Sequence, residues 1–118
     1  MSQFDLSQLR DDLRAFALAR DWQSFHTPKN LVMALSVEVA ELLEHFQWLE
    51  PAQSRDLPAR TRDEVAQEIA DVLIYLTRLA DVLGIDPLQS AFAKMQRNAE
   101  KYPIERCRGR ADKPSKAQ

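Results

Sequence analysis

Apolar residues recur at intervals of three and four along four segments of the chain, the spacing that places them on one face of an α-helix. The first predicted helix begins after Asp5 or Ser2, either of which can accept a hydrogen bond from the first helical turn, and it extends to about Arg20. Its predicted apolar face consists of Leu6, Leu9, Leu13 and Phe16.

The second predicted helix has a well-marked start. Thr27 is a favourable N-cap, and Pro28 follows at the first helical position, where its missing N–H leaves no helical hydrogen bond unmade. This helix should run to about Gln47, before Pro51 stops it. The next ten residues, 51–60, contain two prolines and no apolar periodicity, which predicts a loop.

The third and fourth predicted helices also carry start signals. Thr61 and Glu64 have the spacing of a capping box, and the third helix should continue from there to Leu83. The fourth helix has Asp86 as its predicted cap and Pro87 at its first position. Its apolar stripe consists of Leu88, Phe92, Met95 and Ala99, and it ends before Tyr102.

The composition favours an all-α protein. Two glycines and six prolines are too few for the many tight turns of a β-sandwich or barrel. A chain of 118 residues normally forms one hydrophobic core. We therefore expect a single all-α domain over residues 1–104, followed by a basic and flexible C-terminal tail over residues 105–118.

The charge is unevenly distributed along the chain. Residues 105–118 hold five Lys or Arg against two acids, whereas residues 1–104 hold 16 acids against 11 Lys or Arg. Affinity for duplex nucleic acid comes chiefly from clustered Lys and Arg, so the acidic body argues against duplex binding. A divalent cation could still mediate nucleotide binding. The tail is either a solvated terminus or a weak contact for a polyanion.

The sequence contains few signals that indicate where in the cell the protein is located. No apolar run approaches the roughly 18 residues that suggest a membrane span. The single cysteine, Cys107, cannot close an intramolecular disulfide, and the N-terminal sequence lacks the apolar stretch of a signal peptide. We therefore predict a cytoplasmic protein with no membrane association.

Four acids lie on helix faces that should be apolar. On a helical wheel of about 100° per residue, Glu38 and Glu41 fall within the apolar stripe of the second predicted helix. Glu68 and Asp71 interrupt the stripe of the third helix in the same way. Because burying an unpaired carboxylate is unfavourable, these positions need a compensating partner.

Ion pairs, solvent at the edge of the core, or a divalent metal could each compensate. The stripes contain no Lys or Arg near these acids, which disfavours ion pairs. Antiparallel packing would bring ExxE and ExxD pairs into one cleft, and hard carboxylate oxygens suit Mg²⁺ or Mn²⁺. A di-iron bundle would use Glu-x-x-His pairs, whereas His45 follows Glu41 by four residues. Solvated acids remain the alternative, because ExxE pairs are frequent in helical proteins.

Aromatic residues flank the second predicted helix. Trp22, Phe25 and His26 precede it and Trp48 follows it, so they should gather at the mouth of the proposed cleft. Tryptophans are usually core or interface residues, but here they could also stack on a nucleotide base.

A polar line follows one face of the fourth predicted helix. Lys94, Asn98 and Tyr102 are spaced four residues apart, with Lys101 beside them. This line is either a solvated lysine face or a set of groups suited to phosphates and a sugar.

Four ordered segments of the chain resemble a known family, the MazG-like all-α nucleoside triphosphate pyrophosphohydrolases, and within it the dCTP pyrophosphatase branch. The resemblance covers about residues 5–110. The segments are RDWQSFHTPKN, LSVEVAELLEHFQW, EIADVLIYLTRLA and KMQRNAEKYP. It implies a four-helix bundle assembled as a homo-oligomer, either a dimer or a tetramer, with sites that take residues from neighbouring chains.

The resemblance also implies an activity and a set of site residues. The activity is Mg²⁺-dependent hydrolysis of a deoxynucleoside triphosphate, dCTP or a modified dCTP, to the monophosphate and pyrophosphate, with Mn²⁺ as the alternative ion. The implied metal ligands are Glu38, Glu41, Glu68 and Asp71, with Glu41 and Glu38 also as candidates for the catalytic role at the attacking water. The implied base pocket contains Trp22, His26 and Trp48, and the implied phosphate and sugar contacts are Lys94, Asn98, Lys101 and Tyr102.

Two other functions are compatible with these patterns. The same fold could act on dUTP or a damaged purine triphosphate. Alternatively, the chain could be a non-catalytic helical oligomerisation module whose acids are solvated. Release of pyrophosphate that requires Mg²⁺ separates the enzyme from the module.

Overall fold

The computed structural model describes residues 4–112, and all regular structure in this range is helical. The prediction of an all-α chain is therefore confirmed for the described residues. Among them, no helix combines the length and the apolar character needed to cross a membrane. The helices are α1 (Leu6–Ala19), a short 3₁₀ helix (Gln23–Phe25), α2 (Pro28–Glu44), α3 (Pro51–Ser54), α4 (Ala59–Val82), α5 (Pro87–Lys101) and α6 (Ile104–Cys107).

Three of the predicted helix starts are confirmed by their capping hydrogen bonds. Asp5, Thr27 and Asp86 each precede a helix, and each side chain accepts a hydrogen bond from the backbone N–H three residues later. The donors are Gln8 at 2.7 Å, Asn30 at 3.2 Å and Gln89 at 3.1 Å, respectively. Ser2, the alternative first cap, lies outside the described residues.

The prediction of a loop over residues 51–60 is wrong at both ends of that range and holds for residues 55–58, which lie outside the helices. Pro51 opens the one-turn helix α3, where the Gln53 side chain accepts a hydrogen bond of 2.8 Å from the Glu50 N–H. Helix α4 then begins at Ala59, directly after Pro58. A proline suits the N-terminal end of a helix, so these two prolines mark helix starts rather than a loop.

The predicted capping box at Thr61 and Glu64 is also wrong. Because α4 begins at Ala59 with Pro58 at the N-cap, Thr61 is the third residue of the helix and does not occupy the N-cap position. Glu64 instead lies 3.4 Å from the Arg60 guanidinium, one turn earlier.

Two helix ends differ slightly from prediction. Helix α2 ends at Glu44 rather than near Gln47, and a turn follows it. Helix α4 ends at Val82, within one residue of prediction, and Gly84 follows with a φ of 68°. That left-handed conformation is the usual way to end a helix and is accessible to glycine without strain.

The chain divides into two compact units, residues 1–84 and 85–118. In the first unit, α4 packs against both α1 and α2. Side-chain pairs between α4 and the α2 region run in opposite sequence directions: His26 meets Arg78, whereas His45 meets Glu64. The predicted antiparallel packing of these two helices is therefore present.

The first unit buries little apolar surface in the single chain. The buried apolar side chains among the described residues are Ala17, Leu31, Val65 and Ala80. Several large apolar side chains on α2 and α4 are exposed. They include Val32, Met33, Val37, Val39, Leu43, Ile69, Leu73 and Leu76.

The second unit contains α5 and α6. The predicted apolar stripe of α5 is exposed, including Phe92 and Met95, which are 66% and 65% accessible. Helix α6 forms one turn within the segment predicted as a flexible tail. Residues 113–118 of that tail lie outside the described residues, so its mobility stays a prediction.

Candidate metal and nucleotide site

Three of the four predicted acids meet between α2 and α4. Glu38 and Glu41 lie one turn apart on α2, and Glu68 faces them from α4. Each contributes one carboxylate oxygen to a group whose members all lie within 4.8 Å of one another. Such a set of hard oxygen donors suits a divalent cation.

Two oxygens of this acid cluster (Glu38, Glu41 and Glu68) lack a hydrogen-bond partner among residues 4–112. One buried carboxylate oxygen of Glu38 and one of Glu68 accept no hydrogen bond within the described part of the chain. Buried polar atoms are normally satisfied, so these two oxygens need a donor or a cation. The residues present therefore fit a divalent metal ion.

The pKa shifts of Glu38 and Glu68 also favour a bound cation. The pKa of Glu38 is raised, first by burial and then by the neighbouring Glu41 carboxyl, Asp71 and Glu68. Burial and Glu41 also raise the pKa of Glu68, while the nearby His45 opposes the shift. Without a cation, Glu38 and Glu68 thus hold their protons more tightly than ordinary carboxyl groups do.

Asp71, the fourth predicted ligand, is not part of the three-oxygen group. It lies one turn beyond Glu68 on α4 and is close enough to raise the pKa of both Glu38 and Glu68. It also lines an adjoining cavity. Its role as a ligand stays a prediction.

The adjoining cavity, of about 270 Å³, lies between α1, α4 and the segment before α2. The Phe16 and Trp22 rings meet edge to face at a centroid distance of 5.8 Å, and the His26 ring lies 6.1 Å from that of Trp22. The lining of this cavity includes Phe16, Trp22, His26, Asp71, Tyr75 and Arg78. An aromatic cavity beside a cluster of acids can accept a flat ring that carries phosphates.

A chain of polar contacts supports one wall of this aromatic cavity. The Nε–H of Arg78 donates a hydrogen bond of 3.1 Å to His26 Nδ1, and its Nη1–H donates one of 3.1 Å to Asp81. Asp81 also accepts two hydrogen bonds from Arg14 on α1, at 2.9 and 2.5 Å. The pKa of His26 is lowered by burial and by the charge of Arg78.

This chain of polar contacts was not predicted from the sequence. Arg78 follows Asp71 by seven residues, two helical turns, and so lies on the same side of α4. The spacing of Asp71, Arg78 and Asp81 along α4 was the sequence pattern that could have indicated this chain of contacts. The pairing of Arg78 with His26 joins residues 52 positions apart, and no local pattern indicates it.

Trp48 lies away from the aromatic cavity in the single chain. It follows α2 in the turn region and is 86% exposed, whereas Trp22 is 42% exposed and lines the cavity. A core role for Trp48 in the single chain is therefore excluded.

The predicted phosphate and sugar contacts belong to the second unit. Lys94, Asn98 and Lys101 lie on α5, and Tyr102 is the residue at which that helix ends. The Lys101 ammonium lies 5.5 Å from the centroid of the Tyr102 ring. The contacts of these residues with a nucleotide stay a prediction.

Taken together, the first unit is a helical domain with a carboxylate cluster that could hold a divalent cation beside an aromatic cavity. A MazG-like family model matches residues 33–114. The chain belongs to the MazG-like family.

Known relatives and solved structures are similar to the chain. It is 42% identical over 100 residues to mouse dCTP pyrophosphatase 1, covering 83% of this chain and 59% of the relative. Identity to the bovine protein of the same name is 41%, covering 95% and 68%. The crystal structure of a pyrophosphatase from Archaeoglobus fulgidus superposes with a TM-score of 0.79 at 45% identity, covering 87% of this chain and 96% of that one. This chain thus spans about three fifths of the length of the mouse protein.

Proposed function

We propose that this chain is a divalent-metal-dependent nucleoside triphosphate pyrophosphohydrolase, which cleaves between the α and β phosphates to give a monophosphate and pyrophosphate. The observation that carries the proposal is the acid cluster, in which Glu38 and Glu68 each keep a buried oxygen with no partner among the described residues. Membership of the MazG-like family supports it, as do relatives named as pyrophosphatases.

The metal ion would be held by the acid cluster together with Asp71, and Mg²⁺ is the ion we propose, with Mn²⁺ as the alternative. When bound, such an ion supplies charge neutralisation for the triphosphate and lowers the pKa of water. The described residues contain no glycine-rich phosphate-binding loop, so the phosphates would be anchored through the cation that these carboxylates hold.

Within the cluster, the carboxylates differ in accessibility. Glu38 and Glu68 are half-buried, whereas Glu41 is exposed. We therefore assign Glu41 the role of orienting the attacking water and accepting its proton on a carboxylate oxygen. Glu38, which has a raised pKa and a buried oxygen, would be a metal ligand and would help to hold the accepting oxygen of Glu41 in place.

The base would occupy the aromatic cavity, stacked against Trp22 with His26 at its edge. Stacking on an aromatic side chain suits any base, whereas a hydrogen-bonding group at the edge provides selection. For the phosphates and sugar we propose Lys94, Asn98, Lys101 and Tyr102, a role that the family resemblance implies. We propose dCTP or a modified dCTP as substrate, on the support of the relatives named dCTP pyrophosphatase 1.

We further propose that the chain works as a homo-oligomer, a dimer or a tetramer, in the cytoplasm. The many exposed apolar side chains of α2, α4 and α5 support this assembly, because a single chain leaves more apolar surface uncovered than its small core can balance. Assembly would also give the exposed Trp48 a neighbouring chain to contact.

The decisive experiment measures pyrophosphate release from a panel of triphosphates, with Mg²⁺ and with a chelator. The panel contains dCTP, a 5-substituted dCTP, dUTP, canonical purine triphosphates and an oxidised purine triphosphate. We expect Mg²⁺-dependent pyrophosphate release that is fastest for the cytosine compounds. A faster rate with dUTP or the oxidised purine would reassign the substrate within the same reaction.

The chain supplies matched controls for this experiment. Glu38→Gln should remove activity, and Glu44→Gln, at the exposed end of the same helix, should retain it. If no triphosphate yields pyrophosphate with Mg²⁺, the chain is a non-catalytic oligomerisation module and the proposal fails.

A further inference from the structure

The contact between Arg78 and His26 fixes the position of a proton. A guanidinium group has only N–H donors and no acceptor. It donates to His26 Nδ1 at 3.1 Å, so that ring nitrogen must be unprotonated. His26 is therefore neutral, and its one N–H lies on Nε2.

The surroundings hold Arg78 in place for this contact. Its side chain is 9% exposed, and that of Asp81, which pairs with it, is 10% exposed. Asp81 is held in turn by the two hydrogen bonds from Arg14. The Arg78 guanidinium is held by Asp81 at Nη1 and contacts His26 through Nε. Because the group is planar and rigid, its Nε–H keeps a nearly constant direction, and the orientation of the His26 ring is restrained as well.

The Nε2–H of His26 remains available for a ligand. His26 lines the aromatic cavity with Trp22 and Tyr75, and no hydrogen bond of its Nε2 is recorded within residues 4–112. The burial and positive charge that lower the pKa of His26 also oppose its protonation. The ring thus offers one donor and no acceptor.

We propose that Arg78 is a positioning residue that keeps His26 in the neutral Nε2–H form, so that His26 recognises a hydrogen-bond acceptor on the base of the nucleotide. This inference rests on the proposed function. The group recognised is a ring carbonyl oxygen or an unprotonated ring nitrogen, whereas an exocyclic amino group or a ring N–H would meet donor against donor.

The first test is the ¹⁵N NMR spectrum of histidine-labelled protein, recorded near neutral pH. The chain has two histidines, and a His45→Gln sample assigns the resonances. We expect one pyridine-like signal for His26 Nδ1 and one pyrrole-like signal for Nε2. A protonated Nδ1, or a charged ring, overturns the inference, and this result does not depend on any catalytic activity.

The second test compares substitutions at both residues in the Mg²⁺-loaded protein with dCTP as the probe. His26→Leu should raise KM about 3- to 10-fold, the change expected for one net hydrogen bond, with a much smaller effect on kcat. His26→Gln places an amide N–H near the former Nε2 position and should restore most of the lost affinity. Equal KM values for the parent and His26→Leu proteins would contradict the inference while leaving the proposed function intact.

The role of Arg78 is tested by its coupling to His26. Arg78→Met should raise KM by a similar factor in the parent background and by clearly less in the His26→Gln background, where the donor no longer depends on a tautomer. Arg62→Met, an exposed arginine on the same helix, is the matched control and should leave KM unchanged. An equal increase in both backgrounds would show a merely structural role.

Arg78→Lys is the companion variant, and it keeps the inference testable if the Arg78→Met protein does not fold. It keeps the positive charge but loses the planar donor, and we expect an intermediate KM together with altered ¹⁵N signals of His26. Unaltered signals in a folded Arg78→Lys protein would mean that Arg78 does not set the tautomer.

Discussion

Glu38 combines a raised pKa with a buried oxygen that has no hydrogen-bond partner in the described part of the chain, so its ionised form is unfavourable unless a cation is bound. We predict that Glu38→Gln abolishes Mg²⁺-dependent turnover and raises the melting temperature of the metal-free protein, because it removes like-charge repulsion. Glu41→Gln, Glu68→Gln and Asp71→Asn should also abolish turnover. Activity assays and thermal melts in a chelator check this prediction, and substantial activity in two of the four variants would rule out a four-ligand site.

The raised pKa of Glu38 and that of Glu68 also give this prediction a pH dependence. In the metal-free protein, the unfolded state ionises these groups first as pH rises, so the folded state binds more protons. Stability contributed by these two carboxyl groups is therefore present at low pH and lost as pH rises through their raised pKa values. The difference in melting temperature between Glu38→Gln and the parent should grow over that range, and a difference that stays constant would refute the cause we give.

Trp48 tests base recognition separately from stability. Since it is 86% exposed in the single chain, Trp48→Ala should leave the fold of one chain intact. If it stacks on the base, its loss should cost about 1–3 kcal/mol in kcat/KM and alter the preference among bases, with Mg²⁺ affinity unchanged. Kinetics on cytosine, uracil and purine triphosphates check this. Unaltered relative rates would exclude Trp48 from the base pocket.

Helices α1 and α4 are joined through Asp81, which accepts hydrogen bonds from Arg14 and Arg78. We predict that Asp81→Asn destabilises the protein by about 3 kcal/mol, because it leaves the buried Arg78 guanidinium without its counter-charge. Denaturant unfolding checks this value. Asp63→Asn, an exposed position on the same helix, is the control and should change stability little.

The ion pairs of Asp81 with Arg14 and Arg78 also make the stability of the protein depend on pH, in the acid range. The hydrogen bonds and charge of Arg14, together with the charge of Arg78, hold the pKa of Asp81 below its ordinary value. Its contribution to stability is thus present above the ordinary Asp pKa and lost as pH falls through the lowered one. Asp81→Asn should remove this acid-side loss, and an unchanged acid limb would show that other carboxylates cause it.

At the element scale, the starts of α1, α2 and α5 were predictable, whereas the start of α4 was not. Asp5, Thr27 and Asp86 satisfy N–H groups within their own first turn, so a few consecutive residues contain the whole interaction. Pro51 and Pro58 are compatible with both a loop and a helix start. Local sequence does not decide between those two outcomes.

For the molecule as a whole, bound ligands should stabilise the native state. We predict that Mg²⁺ raises the melting temperature, and that a non-hydrolysable nucleotide raises it further, because both bind only the folded protein. The control is monovalent salt at matched ionic strength. The same shift with salt would mean that the acids are only screened rather than coordinated.

The amino-acid sequence alone determined the helical class, most helix boundaries and the two acid pairs on apolar faces. These features depend on residues within one or two turns of each other, where side-chain direction follows from helical geometry. Only the tertiary structure decided that Glu38, Glu41 and Glu68 form one group with two unpartnered oxygens, and that Arg78 meets His26. Those contacts join residues far apart in sequence, and the packing of α2 against α4 brings them within reach.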